Sequence, residues 1–362
     1  AAMSSHHCYH GQEYSEDHAK IAEWTPLIMQ GRDPHQKVAA TRTITGTDVN
    51  YGALTSSLLA YLQKQEDFTV RFSQSVVDLE RRADGGWRLF IKDEITGARR
   101  IVNAKYVFLG AGGGALPLLQ KSGIPESKGY AGFPVSGLWL RCGKPEVVDR
   151  HSAKVYGLAA KGSPPMSVPH LDTRIIDDKR WLLFGPYAGF STRFLKNGSL
   201  FDLPKSVRLN NILPLLAVAR DNFPLEEYLV GQVLQSASHR YDSLREFYPQ
   251  TNVADWEVVV AGQRVQIIRK DKAHTGKLEF GTEIVHSADS SIVAVLGASP
   301  GASTAVSIMV HMLENCFHEQ LVGHWAPKLK EMIPSYGYDL KTDAALSARV
   351  RADTAETLNL HK

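Results

Sequence analysis

The sequence predicts an α/β fold, α+β overall, in which a parallel-sheet domain is interrupted by an inserted mixed-sheet domain. Two observations predict the parallel part. Ala104 to Leu109 is a nearly continuous apolar run, of the kind buried on both faces of a parallel sheet, and it ends in the glycine-rich stretch Gly110 to Ala115. A second apolar run, Ile292 to Leu296, leads into the turn Gly297 to Thr304, and then into a helix whose Val306, Met309, Val310 and Leu313 repeat at i, i+3, i+4, i+7. A third observation, short β-rich runs with turn signals before residue 104, predicts a meander.

Earlier in the chain, Ser15, Glu16 and Asp17 lead into Ile21, Trp24 and Leu27, which reads as a capped helix start. Val38 to Thr43 reads as a short strand. Gly46 to Asn50 is a turn into a helix capped by Asn50, with Leu54, Leu58, Leu59 and Leu62 on one apolar face. Phe68 to Phe72, Ser75 to Leu79, Trp87 to Ile91 and Arg99 to Asn103 are the strands of the meander, punctuated by Asp84-Gly85-Gly86 and Thr96-Gly97. From about Phe133 to Arg269 the elements are mixed, with a helical stretch around Ile212 to Ala219. The expected divisions are 1–45, 46–125, 126–275, 276–335 and 336–362, the third being the inserted domain.

Composition excludes several classes. At 362 residues, 43% hydrophobic and 22% charged, the chain is an ordinary globular one. A net charge of +3, from 41 basic and 38 acidic side chains, gives no electrostatic case for nucleic acid. Cys8, Cys142 and Cys316 lack a CxxC pair and are odd in number, which argues for free thiols and against a zinc site. No apolar run approaches the roughly 18 residues of a membrane span, so any contact with a membrane is expected to be peripheral. The start of the sequence reads as already inside a fold, which suggests processing or truncation.

Both glycine-rich turns suit close approach to a bound phosphate or flavin, because a Cβ would block contact and a helix N-terminus offers unpaired N–H groups. The 297–304 turn is the better candidate through its Ser and Thr hydroxyls; the alternative is a tight turn with glycines for packing only. Gly110-x-Gly112-x-x-Ala115 also reads as a dinucleotide fingerprint, but no strand ending in an acidic residue follows about 20 residues later.

Six stretches in order carry a resemblance: Gly46 to Thr55 (GTDVNYGALT), Val107 to Ala115 (VFLGAGGGA), Pro164 to Arg174 (PPMSVPHLDTR), Leu183 to Thr192 (LFGPYAGFST), Ala261 to Gln266 (AGQRVQ) and Leu296 to Thr304 (LGASPGAST). Over Ser15 to about Phe317 the sequence resembles the malate:quinone oxidoreductases. The resemblance implies a glutathione-reductase-like FAD-binding domain, incomplete at its N-terminus, with an inserted substrate domain. The first strand, glycine-rich turn and helix of the family, which hold the ADP part of FAD, have no counterpart in the sequence. It also implies FAD as cofactor, malate and quinone as partners, and a cytoplasmic protein peripherally associated with the inner face of the cytoplasmic membrane. The implied cofactor contacts are Val76, Gly110, Gly112, Gly113, Gly297, Ser299, Pro300, Gly301, Ala302, Ser303 and Thr304.

Oxidising malate needs a base for the C2 hydroxyl and cations for two carboxylates. His170 is the expected base, since histidine has an ordinary pKa of about 6.5. Arg264 is the expected carboxylate clamp and Arg174 a second one, because guanidinium pairs bidentately with carboxylate and keeps its charge when desolvated. Tyr187 is the expected hydrogen-bond donor to substrate or flavin. His170-x-x-x-Arg174 also resembles L-2-hydroxyglutarate dehydrogenases, so a related 2-hydroxyacid is an alternative substrate. A chain inactive without a further nucleotide-binding segment is another alternative.

Overall fold

Asp17 takes the Lys20 amide on its carboxylate at 2.9 Å and opens the helix His18–Trp24; Asn50 takes the Ala53 amide at 3.1 Å and opens Tyr51–Leu62. Both caps satisfy amides that a first helical turn leaves unpaired. These features belong to a computed structural model that describes residues 5–158, 168–221, 237–271, 276–279, 281–297 and 301–360. The chain divides into a unit of residues 1–47 with 317–362 and a unit of residues 48–316. The expected boundary at 45/46 lies close to this division, whereas those at 125/126 and 275/276 fall inside the second unit.

In the first unit β1 (Glu13–Ser15) pairs antiparallel with β2 (Ala40–Arg42), and Ile21 and Leu27 are buried. In the second unit the expected meander has three strands, β3 (Gln74–Arg81), β4 (Trp87–Asp93) and β5 (Arg99–Ala104). The run 68–72 is not a strand, and Phe72 is exposed: a β-prone run without a ladder partner gains no backbone hydrogen bonds. The Tyr51–Leu62 helix keeps its leucine stripe, but none of its residues is buried.

β6 (Val107–Leu109) corrects a further expectation. Val107 and Leu109 are buried while Phe108 is 41% exposed, so β6 alternates as a sheet-edge strand and is not buried on both faces. Later in the chain come the long strands β7 (Ala131–Cys142), β10 (Lys179–Phe190) and β11 (Glu257–Lys270), with β8 (Lys154–Tyr156), β9 (His170–Ile176) and β12 (Gly276–Glu279). They form an antiparallel six-stranded sheet in the order β12-β11-β7-β10-β9-β8. β13 (Thr282–His286) and β14 (Ile292–Gly297) complete a third sheet, in which β14 runs parallel to β6.

One core cluster joins the three sheets: Leu79 and Trp87 from the meander, Leu109 and Leu296 from the parallel pair, Val265 and Ile267 from β11, with Leu116, Leu119 and Phe194 between them. A polar clasp lies at its rim. Arg81 pairs with Asp289 and bonds Ser291, Trp87 Nε1 donates to Ser291 Oγ at 3.1 Å, and Asp289 Oδ1 accepts the Ser287 and Ser291 hydroxyls at 2.6 and 2.8 Å. Desolvation pushes the Asp289 pKa up, but those hydroxyls, the Ser291 amide and the Arg81 charge outweigh it and hold the carboxyl at about 2. A depressed carboxylate pKa stabilises the fold above the ordinary value of 3.8, and the contribution is lost as pH falls through about 2. The melting-temperature gap between wild type and Asp289→Asn is therefore widest above pH 3.8 and closes towards about 2. A gap independent of pH across that window would contradict the assignment.

Candidate active site

Residues opposite one another in an antiparallel pair share a sheet face, and successive residues alternate faces. β9 therefore places His170, Asp172 and Arg174 on one face. Asp172 stands opposite Leu183 of β10, and Leu183 opposite Arg141 of β7. Alternation along β7 carries that face through Trp139 and Gly137 to Val135, and Val135 stands opposite Arg264 of β11. His170 and Arg264 thus share a face. They are three strand spacings apart, about 14 Å across the sheet at ~4.8 Å per spacing, with Arg264 further along at the level of Val135, so a ligand touching both must lie between them.

His170 is held on several sides. Its Nδ1 lies 2.8 Å from Asp172 Oδ1, and Lys154 Nζ lies 2.9 Å from the other Asp172 oxygen. The Trp139 and Tyr156 rings stand 5.0 and 4.7 Å from the imidazole, centroid to centroid. Asp172 is only 2% exposed, so its charge has left bulk water and depends on these two partners. Desolvation pulls the Lys154 pKa down, but the Asp172 hydrogen bond and charge outweigh it and the ammonium is raised. His170 Nδ1 and Asp172 Oδ1 are both buried and in close polar contact without an aligned hydrogen bond, and Nε2 is the ring nitrogen left to meet a ligand.

The arginines divide. Arg264 is partly buried and makes no ion pair among the described residues, so its charge is open to a ligand. Beside it on the same face, Gln266 keeps a buried side-chain oxygen without a hydrogen-bond partner. Arg174 instead lies 3.0 Å from Asp48 Oδ1 and donates to the Val49 carbonyl at 3.1 Å, while Asp48 also accepts the Ile175 amide at 3.1 Å. Its guanidinium ties the approach to the Tyr51–Leu62 helix onto β9.

Tyr187 is likewise engaged within the protein. The pairing of β10 with β7 shifts between Phe184 and Tyr187, and Tyr187 stands opposite Leu138, on the face away from Trp139 and His170. There the buried hydroxyl donates to the Arg240 carbonyl at 2.7 Å, in the helix Ala237–Phe247, and the ring sits 6.1 Å from Phe184. The sequence reading missed Asp172, Lys154, Trp139 and Tyr156. The i, i+2 pairs His170 with Asp172 and Lys154 with Tyr156 are the signal that could have found the first two.

Both glycine-rich turns leave the carboxyl edge of neighbouring parallel strands, β6 and β14, where α/β sheets bind ligands. Gly112 has φ +55° with open space where its Cβ would be, so backbone is accessible there. Gly297 has φ +88° and a Cβ would stand 2.1 Å from the Gly281 carbonyl oxygen, so only glycine fits. Gly301, Ala302, Ser303 and Thr304 form the turn into the helix Ala305–Cys316, in which the Ala305 amide donates to the Ala302 carbonyl at 3.3 Å; a helix N-terminus suits an anion. This edge fits the pyrophosphate and ring of FAD.

Not every expected contact lies there. Gly113 is glycine for packing, since a Cβ would meet the Phe194 carbonyl oxygen at 2.1 Å and Val265 at 2.9 Å. A Cβ on Gly110 would meet the Phe108 ring at 2.6 Å. Val76 belongs to the meander, at a bulge opposite Ile91, and not to either turn. Ser299 and Pro300 lie outside the described residues. In the first unit His6, His7 and Cys8 cluster, but His6 Nδ1 accepts the Cys8 amide and His7 Nε2 bonds the Leu340 carbonyl, so two donors are already engaged.

If the 301–304 turn touches the flavin, Gly301→Val, which puts a stiff β-branched side chain before the helix, strips FAD from the protein and leaves its circular dichroism unchanged. Full flavin absorbance in that variant would refute the contact.

The fold is the mixed α/β fold of FAD-dependent oxidoreductases: it matches the glycerol-3-phosphate dehydrogenase of Bacillus halodurans, solved with FAD, at a TM-score of 0.50 and 13% identity, over 84% of this chain and 51% of that one. The family described as malate:quinone oxidoreductase (Mqo) matches residues 1–360, and the chain belongs to that family of FAD-dependent oxidoreductases. Probable malate:quinone oxidoreductases of Bradyrhizobium diazoefficiens and Bordetella avium are each 59% identical to it, over 99% of this chain and 70% and 72% of their own lengths. Probable malate:quinone oxidoreductase 1 of Pseudomonas putida is 58% identical over 99% of this chain and 71% of its own length.

Proposed function

We propose that the chain carries the malate-handling machinery for oxidation of (S)-malate to oxaloacetate, with electrons passing to membrane quinone. The observation that supports this is a histidine with a buried carboxylate behind it, on the same sheet face as an arginine that no described carboxylate neutralises. Malate lies between them. Arg264 binds one carboxylate, and His170 Nε2 takes the C2 hydroxyl proton. FAD, held at the Gly112 and 301–304 turns, supplies when bound the chemistry that accepts the C2 hydride. Among the described residues no helix is long and apolar enough to cross a membrane. Access to quinone is by peripheral contact, at the inner face of the cytoplasmic membrane.

Substrate length provides the test. A pocket fitted to malate rejects 2-hydroxyglutarate, one methylene longer, by about 10-fold or more in the anaerobic rate of flavin bleaching. Equal or faster bleaching by 2-hydroxyglutarate would overturn the malate assignment in favour of the longer acid.

A further inference from the structure

We propose that Asp172 is a positioning residue that holds the His170 ring with Nδ1 against its carboxylate and Nε2 towards the substrate, and that Lys154 balances the Asp172 charge. The inference rests on the reading of His170 as the base. Asp172 follows His170 by two residues on β9, so strand alternation brings both side chains to one face, with Nδ1 2.8 Å from Oδ1. β8 pairs with β9 so that Tyr156 stands opposite His170 and Lys154 opposite Asp172. One strand thus supplies the ring that flanks the imidazole and the cation that meets the carboxylate, whose second oxygen receives Lys154 Nζ at 2.9 Å.

The charges around the imidazole determine the sign of the effect. From β9 it meets Asp172; from β8, Lys154 and Tyr156; from β7, the uncharged Trp139; from β10, Gly185 opposite. Arg174 lies further along β9 and is neutralised by Asp48. His151 also lies in the field of Asp172, but burial lowers its pKa and favours the uncharged form. A bare carboxylate in hydrogen-bond contact raises a histidine pKa by about one unit or more. Lys154 offsets the Asp172 charge while Asp172 still holds the ring at Nδ1. An orienting carboxylate of this kind is worth on the order of 10⁴-fold in the Ser-His-Asp triad.

The test is the pH dependence of malate-driven flavin reduction in the flavin-loaded protein. Asp172→Asn should lower the rate by about 10-fold or more and move the acid limb of the profile to lower pH, and Asp172→Glu should restore part of the rate. Lys154→Met removes a partner of the buried Asp172 carboxylate, so its melting temperature is measured beside the rates and the limb is read under conditions where the variant is folded. It should move the acid limb up by about one pH unit, with the rate above that limb within about threefold of wild type. Opposite movements of the limb in the two variants support the inference, because a purely structural role lowers rates without moving the limb. If His170→Ala is inactive while Asp172→Asn and Lys154→Met leave the limb in place, this inference fails and the base assignment survives. If His170→Ala reduces flavin at the wild-type rate, the base assignment fails and takes the inference with it.

Discussion

Replacing His170 with Ala lowers the rate of flavin reduction by malate by about 10²-fold or more, the usual scale for a lost general base, while flavin content stays at the wild-type level. The two readouts separate because His170 sits in the six-stranded sheet, whereas the turns that fit FAD leave the β6–β14 sheet. His170→Ala also removes the partner of buried Asp172, and Lys154 remains to balance that carboxylate, so the fold tolerates the change. Stopped-flow bleaching under anaerobic conditions measures the effect. A wild-type rate in the variant would remove His170 from the chemistry and leave its aromatic flanks as packing.

Replacing Arg264 with Ala weakens capture of malate. Losing a charge-assisted contact in a partly dry pocket leaves a substrate carboxylate unpaired, which costs about 2–5 kcal/mol. That corresponds to a fall in kcat/KM of about 30-fold or more. Arg264→Lys keeps the charge but not the planar fork and recovers only part of the loss, so kcat/KM falls in the order wild type, Lys, Ala at constant flavin content. Arg264 lacks an internal carboxylate among the described residues, so little native structure depends on its charge. If Arg264→Ala leaves kcat/KM within about twofold, less than 0.5 kcal/mol, the arginine is structural. Arg174 could not take its place as clamp without releasing Asp48.

Local patterns were legible in the sequence and long-range pairings were not. The caps at Asp17 and Asn50, the strands before both glycine-rich turns and the helix after residue 304 all follow from signals within a few residues. His170 and Arg264 were legible as chemistry, through residue type and family resemblance. That they share a face could not be read, because it depends on the register of four strands spread over residues 131–270. Arg174 and Tyr187 show the same gap. Arg174 meets Val49, 125 residues away in sequence, and Tyr187 meets Arg240, 53 residues away, partners that no local pattern announces. The bulge between Phe184 and Tyr187 reverses the side to which that segment points, and a strict two-residue period does not foresee it. Asp172 is the instructive omission. His170 and Arg174 were singled out four residues apart, and the residue midway between them on the same strand face is the one that the histidine contacts.

Malate oxidised on the sheet face shared by His170 and Arg264 leaves its product on that face. The structure of the FAD-loaded protein with oxaloacetate bound tests it most directly. The expected result is the C2 oxygen within hydrogen-bond distance of His170 Nε2 and one carboxylate paired with the Arg264 guanidinium. Oxaloacetate on the opposite face, beside Tyr187 and the Ala237–Phe247 helix, or on this face but out of reach of His170, would contradict it.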